Sequence, residues 1–196
     1  MPRFHPATTA VLAMDCQTGI VNMYTQSAGE FTARAASVLG AARKAAMTVI
    51  HIQVGFRPGL PEISGRNKIF AAIRSSPQYQ EFFSGPSGAI HSALGPEPSD
   101  IVITKHRVSA FRGTDLEMIL RAREVETLVL FGIATGGVVL STMLDACDLD
   151  FSVVVVGDCC GDRDEELHSA LLAKLFPARG EVMTAEAFTS AVTGAA

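Results

Sequence analysis

The stretch Thr127-Leu-Val-Leu-Phe-Gly-Ile-Ala-Thr-Gly-Gly-Val-Val-Leu-Ser-Thr142 decides the fold. It opens as a strand-length apolar run, residues 127–131, and breaks at Gly132. It then passes through Gly136-Gly137 into an almost wholly apolar segment of helical length, residues 138–147. A strand that feeds a buried helix through a glycine turn is one step of a parallel sheet covered on both faces. The step repeats on either side. Residues 8–14 (TTAVLAM), 47–54 (MTVIHIQV), 100–104 (DIVIT), 152–156 (SVVVV) and 181–183 read as strands. Between the first two, Phe31, Ala35, Val38, Leu39 and Ala42 recur at helical spacing. Thr114-Asp-Leu-Glu117 and Asp162-Arg-Asp-Glu165 have the form of capping boxes, each leading a helix, and Pro177 stops the second. Strands alternating with helices imply right-handed crossovers. The expected fold is a three-layer α/β/α domain on a six-stranded parallel sheet.

The 196 residues suit a single domain over 1–196, and a hydrophobic content of 48% excludes disorder. Lys and Arg number 16 against 20 Asp and Glu, a net charge of −4 without the basic excess of a nucleic-acid-binding surface. The longest nearly unbroken apolar stretch, residues 128–140, carries Gly132, Thr135, Gly136 and Gly137 and is too short for a membrane span. Residues 1–15 hold one Arg and a short apolar run, which does not make a signal-peptide core, so a cytoplasmic location is expected. There Cys16, Cys147, Cys159 and Cys160 stay reduced, and their spacing makes no disulfide framework. One segment breaks the rhythm. Residues 55–100 hold six of the nine prolines, six glycines and the aromatic group Phe70, Tyr79, Phe82 and Phe83. Such a stretch reads either as a lid or partner contact, or as a surface excursion with one or two short helices.

In an open parallel sheet, ligands bind beyond the carboxyl ends of the strands. The first strand ends in Asp15, the third in Lys105-His106-Arg107 and the fourth at the glycine turn. Singly, Asp15 could cap a turn, the Lys-His-Arg run could be a solvated cluster, and Gly136-Gly137 could serve only close helix packing. Together they describe a helix whose first turn presents bare N–H groups, beneath a carboxylate and a lysine that could act as an acid–base pair. His5, His51, His91, His106 and His168 show no metal-ligand spacing with a carboxylate, and Asp162 reads as a helix N-cap, so no metal is expected. Gly132-Ile-Ala-Thr-Gly-Gly137 is neither a dinucleotide fingerprint nor a P-loop, and no cofactor is expected.

Three separated runs carry a resemblance. Ala-Val-Leu-Ala-Met-Asp15-Cys-Gln17 is the first, and Val-Ile-Thr-Lys105 followed by Ser109-Ala-Phe111 is the second. The third is Leu-Phe-Gly132-Ile-Ala-Thr135, opening a helix through Leu140-Ser-Thr142 to Asp145-Ala146. The pattern resembles the isochorismatase-like hydrolases, also called cysteine hydrolases. Val156-Gly-Asp158, Glu166 and His168 fit it too, and the likeness covers residues 9–187. The resemblance implies a Rossmann-like α/β/α fold, hydrolysis of a small molecule, and a homo-oligomer, dimer or tetramer. It implies that Asp15 is the aspartate that deprotonates the nucleophile and that Lys105 orients and stabilises it. It also implies a non-proline cis bond between Ile133 and Ala134 that shapes an oxyanion hole. Gln17, Thr135, Gly136, Gly137 and Phe111 become candidate substrate contacts, with Arg57, Arg66 and Arg107 as candidates to hold substrate carboxylates.

The chain departs from the family pattern where the nucleophile belongs. The motif runs Ala-Thr, two variable residues, then cysteine, whereas here Ala134-Thr135-Gly136-Gly137 is followed by Val138, which offers only its backbone. The histidines of the metal-binding branch are missing as well, since His51-Ile-Gln53 leads straight to Gly55-Phe-Arg57. Isochorismatases proper also lack the cysteine, keep the aspartate and lysine, and hydrolyse a vinyl ether. That reaction needs a general acid to protonate the enol carbon before water attacks. Three readings stand open. The first is a cofactor-independent hydrolase of a small, anionic substrate that works by Asp15/Lys105 acid–base catalysis. The others are a non-catalytic binding or assembly protein on the same fold, and an amidase using Thr135 or Cys16. Cys16 is expected to face away from Asp15, Ser141 to serve helix packing, and Cys147 to lie on the core side of its helix.

Overall fold

The computed structural model of the chain describes residues 4–194, so residues 1–3 of the N-terminal segment read above lie outside the described residues. The strands are Thr9–Met14 (β1), Thr48–Val54 (β2), Ile101–Lys105 (β3), Thr127–Ile133 (β4), Ser152–Gly161 (β5) and Glu181–Met183 (β6). They form one 6-stranded parallel sheet in the order β3-β2-β1-β4-β5-β6. Every residue of β1 is buried, and Val11 lies between Val49 of β2 and Val129 of β4. A central strand covered on both faces has no polar side to show, which is why its sequence does not alternate. β4 and β5 run past their apolar stretches. Gly132 pairs with Cys160 and Ile133 with Gly161, so pairing keeps extended what composition alone would have ended.

Thr18–Tyr24 (α1) and Ala28–Lys44 (α2) follow β1, and Lys68–Ser75 (α3), Pro77–Glu81 (α4) and Gly85–Gly88 (α5) lie between β2 and β3. Leu116–Ala122 (α6), Leu140–Asp148 (α7), Glu165–Ala170 (α8) and Ala185–Thr193 (α9) complete the helices. Right-handed crossovers place α2 on one face and α6, α7 and α8 on the other, and α9 returns to pack beside α2. Among the described residues no helix is long and apolar enough to cross a membrane.

Two helix starts differ from the expected capping boxes. Asp164 caps α8, its Oδ1 accepting the N–H of Leu167 at 2.9 Å, because Asp162 is drawn away to the N–H of Gly136. Thr114 accepts the N–H of Leu116, and its hydroxyl donates to Ala110 O, so α6 begins without a reciprocal box.

The strand order reverses between β1 and β4, the crevice where open α/β sheets hold ligands. Gly132 makes the approach possible there. Its φ is 144°, and a Cβ would overlap the carbonyl oxygen of Met14.

Candidate active site

At the end of β1 the chain turns through Asp15 in the left-handed region, φ 55°, with its N–H donating to Ile52 O at 2.8 Å. The carboxylate is thereby held over the strand ends, where Oδ2 lies 2.8 Å from Lys105 Nζ. Lys105 closes β3, reaches across the end of β2 to Asp15, and is 1% exposed. Its ammonium also donates to Arg107 O at 3.0 Å. The second carboxylate oxygen, Oδ1, is buried with no hydrogen-bond partner among the described residues. Burial pushes the Asp15 carboxyl above the usual carboxylate range, and the Lys105 charge pulls only part of the way back. A desolvated carboxyl with one oxygen anchored and the other open can hold and release a proton at that open atom.

A cavity of about 340 Å³ opens at this pair. Asp15, Lys105, Ile133, Ala134, Gly137 and Val138 line it from the strand ends and the β4 turn. The 55–100 excursion contributes Ile69, Ile73 and all four of its noted aromatics, Phe70, Tyr79, Phe82 and Phe83. This wall has a small core of its own. Phe56 packs edge-on against Phe70 at 5.9 Å and Phe83 at 5.5 Å, next to Ile63 and Ile73.

The peptide between Ile133 and Ala134 is cis. A π-turn, Thr135–Val139, then carries the chain into α7 and presents Val138, 2% exposed, to the cavity. The opening of this turn is not bare, contrary to expectation. The N–H of Gly136 donates to Asp162 Oδ2 at 2.7 Å, and that of Gly137 to Ala134 O at 3.0 Å. Thr135 is fully buried beside the cavity rather than on its wall. Its hydroxyl donates to Gly161 O at 3.2 Å and lies 2.8 Å from His168 Nδ1.

Several expected contacts lie elsewhere. Phe111 stacks on Phe151 at 6.1 Å between centroids, Arg57 is paired to Glu62 at 2.7 Å on the surface, and Arg66 is exposed outside the cavity. Only Arg107 of the three arginines lines the cavity. Arg163 and Tyr24 line it as well, and neither was singled out from sequence. Cys16 is buried outside it, its Sγ 3.6 Å from Met14 O, and burial pushes its thiol well up. Ser141 lines a second, more open depression with Leu144 and Asp145, which adjoins the cavity at Arg107 and Val108. Cys147 is half-buried and packs against the core from its helix, as expected, with its Sγ 3.6 Å from Arg179 O. Among the described residues no group of three His, Cys, Asp or Glu is arranged to hold a metal ion.

Gln17 is the clearest reassignment. It is fully buried, and its amide donates to Val54 O at 3.0 Å and Gly88 O at 2.7 Å while accepting from Val54 N at 2.7 Å. It staples the excursion to the strand ends instead of touching the cavity. Gln17→Ala removes the partner of the buried Val54 N–H and O and of the half-buried Gly88 O, and is expected to cost about 2–4 kcal/mol in denaturant unfolding. A loss below about 1 kcal/mol would show that the staple is dispensable.

The isochorismatase domain model matches residues 9–187 of the chain. The chain belongs to the isochorismatase family. It is 32% identical over 207 residues to ureidoacrylate amidohydrolase RutB of Methylobacterium radiotolerans, spanning 95% of this chain and 80% of that protein. It is 29% identical over 180 residues to maleamate amidohydrolase of Pseudomonas putida, spanning 89% and 82%. The structure of an isochorismatase family protein from Burkholderia thailandensis superposes with a TM-score of 0.85 at 34% identity over 98% of both chains. This is an isochorismatase-family hydrolase, with the family's six-stranded parallel sheet flanked by helices.

Proposed function

We propose that this isochorismatase-family hydrolase cleaves a small, anionic substrate by acid–base chemistry of Asp15 and Lys105, with neither a side-chain nucleophile nor a cofactor. The observation that carries this reading is the buried pair itself, joined at 2.8 Å and leaving Asp15 Oδ1 unpartnered. Val138 stands where the cysteine-hydrolase pattern has its sulfur, so the attacking group is water.

A vinyl ether would react here in three steps. Asp15 delivers the proton on Oδ1 to the enol carbon, and the double-bond electrons form the new C–H bond. Water adds to the resulting oxocarbenium and returns a proton to the Asp15 carboxylate. The hemiketal then collapses to a carbonyl compound and an alcohol. While Asp15 carries its charge, the Lys105 ammonium at 2.8 Å stabilises it. An amide substrate, in line with the names of the two amidohydrolase relatives, would use the same pair with Asp15 as base toward water. Thr135 and Cys16 suit nucleophilic attack poorly, the one tied to Gly161 and His168, the other a buried thiol held protonated. The 55–100 segment acts as a lid wall of the same domain.

The test is intact-protein mass spectrometry on samples acid-quenched during turnover. The unmodified mass is expected at every time point. A covalent adduct on Thr135 or on any cysteine would overturn the reading.

A further inference from the structure

Arg107 lines the cavity with a guanidinium that is anchored but not neutralised. Its Nη1 donates to His106 O at 2.6 Å and its Nη2 to Glu62 O at 3.1 Å, and Cζ stands 5.9 Å from the centre of the Phe70 ring. Carbonyl oxygens fix such a group without cancelling its charge. Arg43, Arg57 and Arg112 each have a carboxylate partner, whereas Arg107 has none among the described residues. A guanidinium has five N–H donors; the two bonds to carbonyls leave three for a ligand. The Arg107 carbonyl meanwhile holds Lys105 Nζ, so one short loop sets both the reacting ammonium and this cation.

Arg163 also borders the cavity, but on different terms. It is exposed, rests 6.0 Å from the Tyr24 ring centre, and makes no hydrogen bond among the described residues. Water screens its charge, and a ligand would have to order its side chain. Preorganisation favours Arg107.

We propose that Arg107 is the specificity-determining cation of this cavity, fixing the carboxylate of an aryl or alkenyl carboxylic acid whose flat apolar part lies against Phe70 and Phe83. The proposal rests on the reading of the cavity as the substrate site. At 340 Å³ the cavity is at the small end of ligand sites, about 300–1,000 Å³, which suits a one-ring acid and not a nucleotide.

Isothermal titration of benzoate and neutral benzamide into wild type, Arg107→Met, Arg107→Lys and Arg163→Met tests it. Wild type is expected to bind benzoate saturably. Arg107→Met should weaken benzoate about tenfold or more and leave benzamide within about twofold. Arg107→Lys should recover part of the loss, and Arg163→Met should leave both ligands within about twofold. Three results would overturn the proposal: no benzoate binding by wild type, the loss falling on Arg163→Met instead, or equal loss of both ligands in Arg107→Met without rescue by lysine. Asp15→Asn keeps the two questions apart, since it should slow hydrolysis at least about a hundredfold while benzoate still binds.

Discussion

Val138→Cys is expected to give the protein a reactive thiol that it lacks. Val138 borders the same cavity as Asp15 and Lys105 and is almost fully enclosed. A thiol there would have an ammonium nearby to favour the thiolate and a carboxylate to take its proton. No native cysteine competes. Burial pushes the thiols of Cys16, Cys159 and Cys160 up, the last to about 12, and that of half-buried Cys147 rises for the same reason. Iodoacetamide should therefore label position 138 of the variant at least about tenfold faster than any native cysteine, as read by peptide mass mapping. An activated amide should give a burst of released amine as the thiolate acylates and water then clears the thioester. The missing methyl group should cost about 1 kcal/mol of stability. Labelling no faster than in wild type would mean that position 138 does not face the acid–base pair.

Asp15→Asn is expected to lower kcat/KM by about a hundred- to ten-thousand-fold, the span of a lost general acid or base. Asparagine keeps the shape and can still accept from Lys105, but it neither gives nor takes a proton. The pH dependence follows from the direction of the shift. Burial raises the Asp15 carboxyl, so its acid form persists to higher pH than that of an exposed aspartate. A reaction that needs this acid then falls away as pH rises through the raised value, and Asp15→Asn removes that limb of the profile. Stability moves with the same sign. A carboxyl whose folded value lies above its ordinary 3.8 contributes most at low pH, and the contribution is lost as pH climbs from there through the folded value. The single exchange leaves Lys105 as a buried unpaired charge. Asp15→Asn combined with Lys105→Met removes both charges and should fold at least as stably as wild type.

The sheet was readable because its physics is local. Apolar β-rich runs of β1, β2 and β4 announce strands buried on both faces, and the rule that ligands gather beyond strand ends brings Asp15 and Lys105 into one place. Phe70, Tyr79, Phe82 and Phe83 stood out as an aromatic group, yet nothing local says that they wall a cavity, because their partners lie across the chain. Gln17 shows the limit most plainly. A glutamine two residues after a catalytic candidate looks like a substrate contact, and only the fold places Val54 and Gly88 within its reach. Arg57 was lost to Glu62 and Phe111 to Phe151 for the same reason. Asp162 looked like a cap for the helix that follows it, whereas its carboxylate went to Gly136 on another strand's turn. Long-range competition for hydrogen bonds decides such cases, and sequence spacing does not encode it.

Hydrolysis of vinyl ether, amide, carbamoyl and ester substrates, measured side by side for wild type and Asp15→Asn at matched fold content, bears most directly on acid–base chemistry at Asp15. Wild type should turn over at least one anionic member of the panel, and the variant should turn it over about a hundred- to ten-thousand-fold more slowly. Undiminished turnover by Asp15→Asn, or a panel on which wild type is inert throughout, would contradict it.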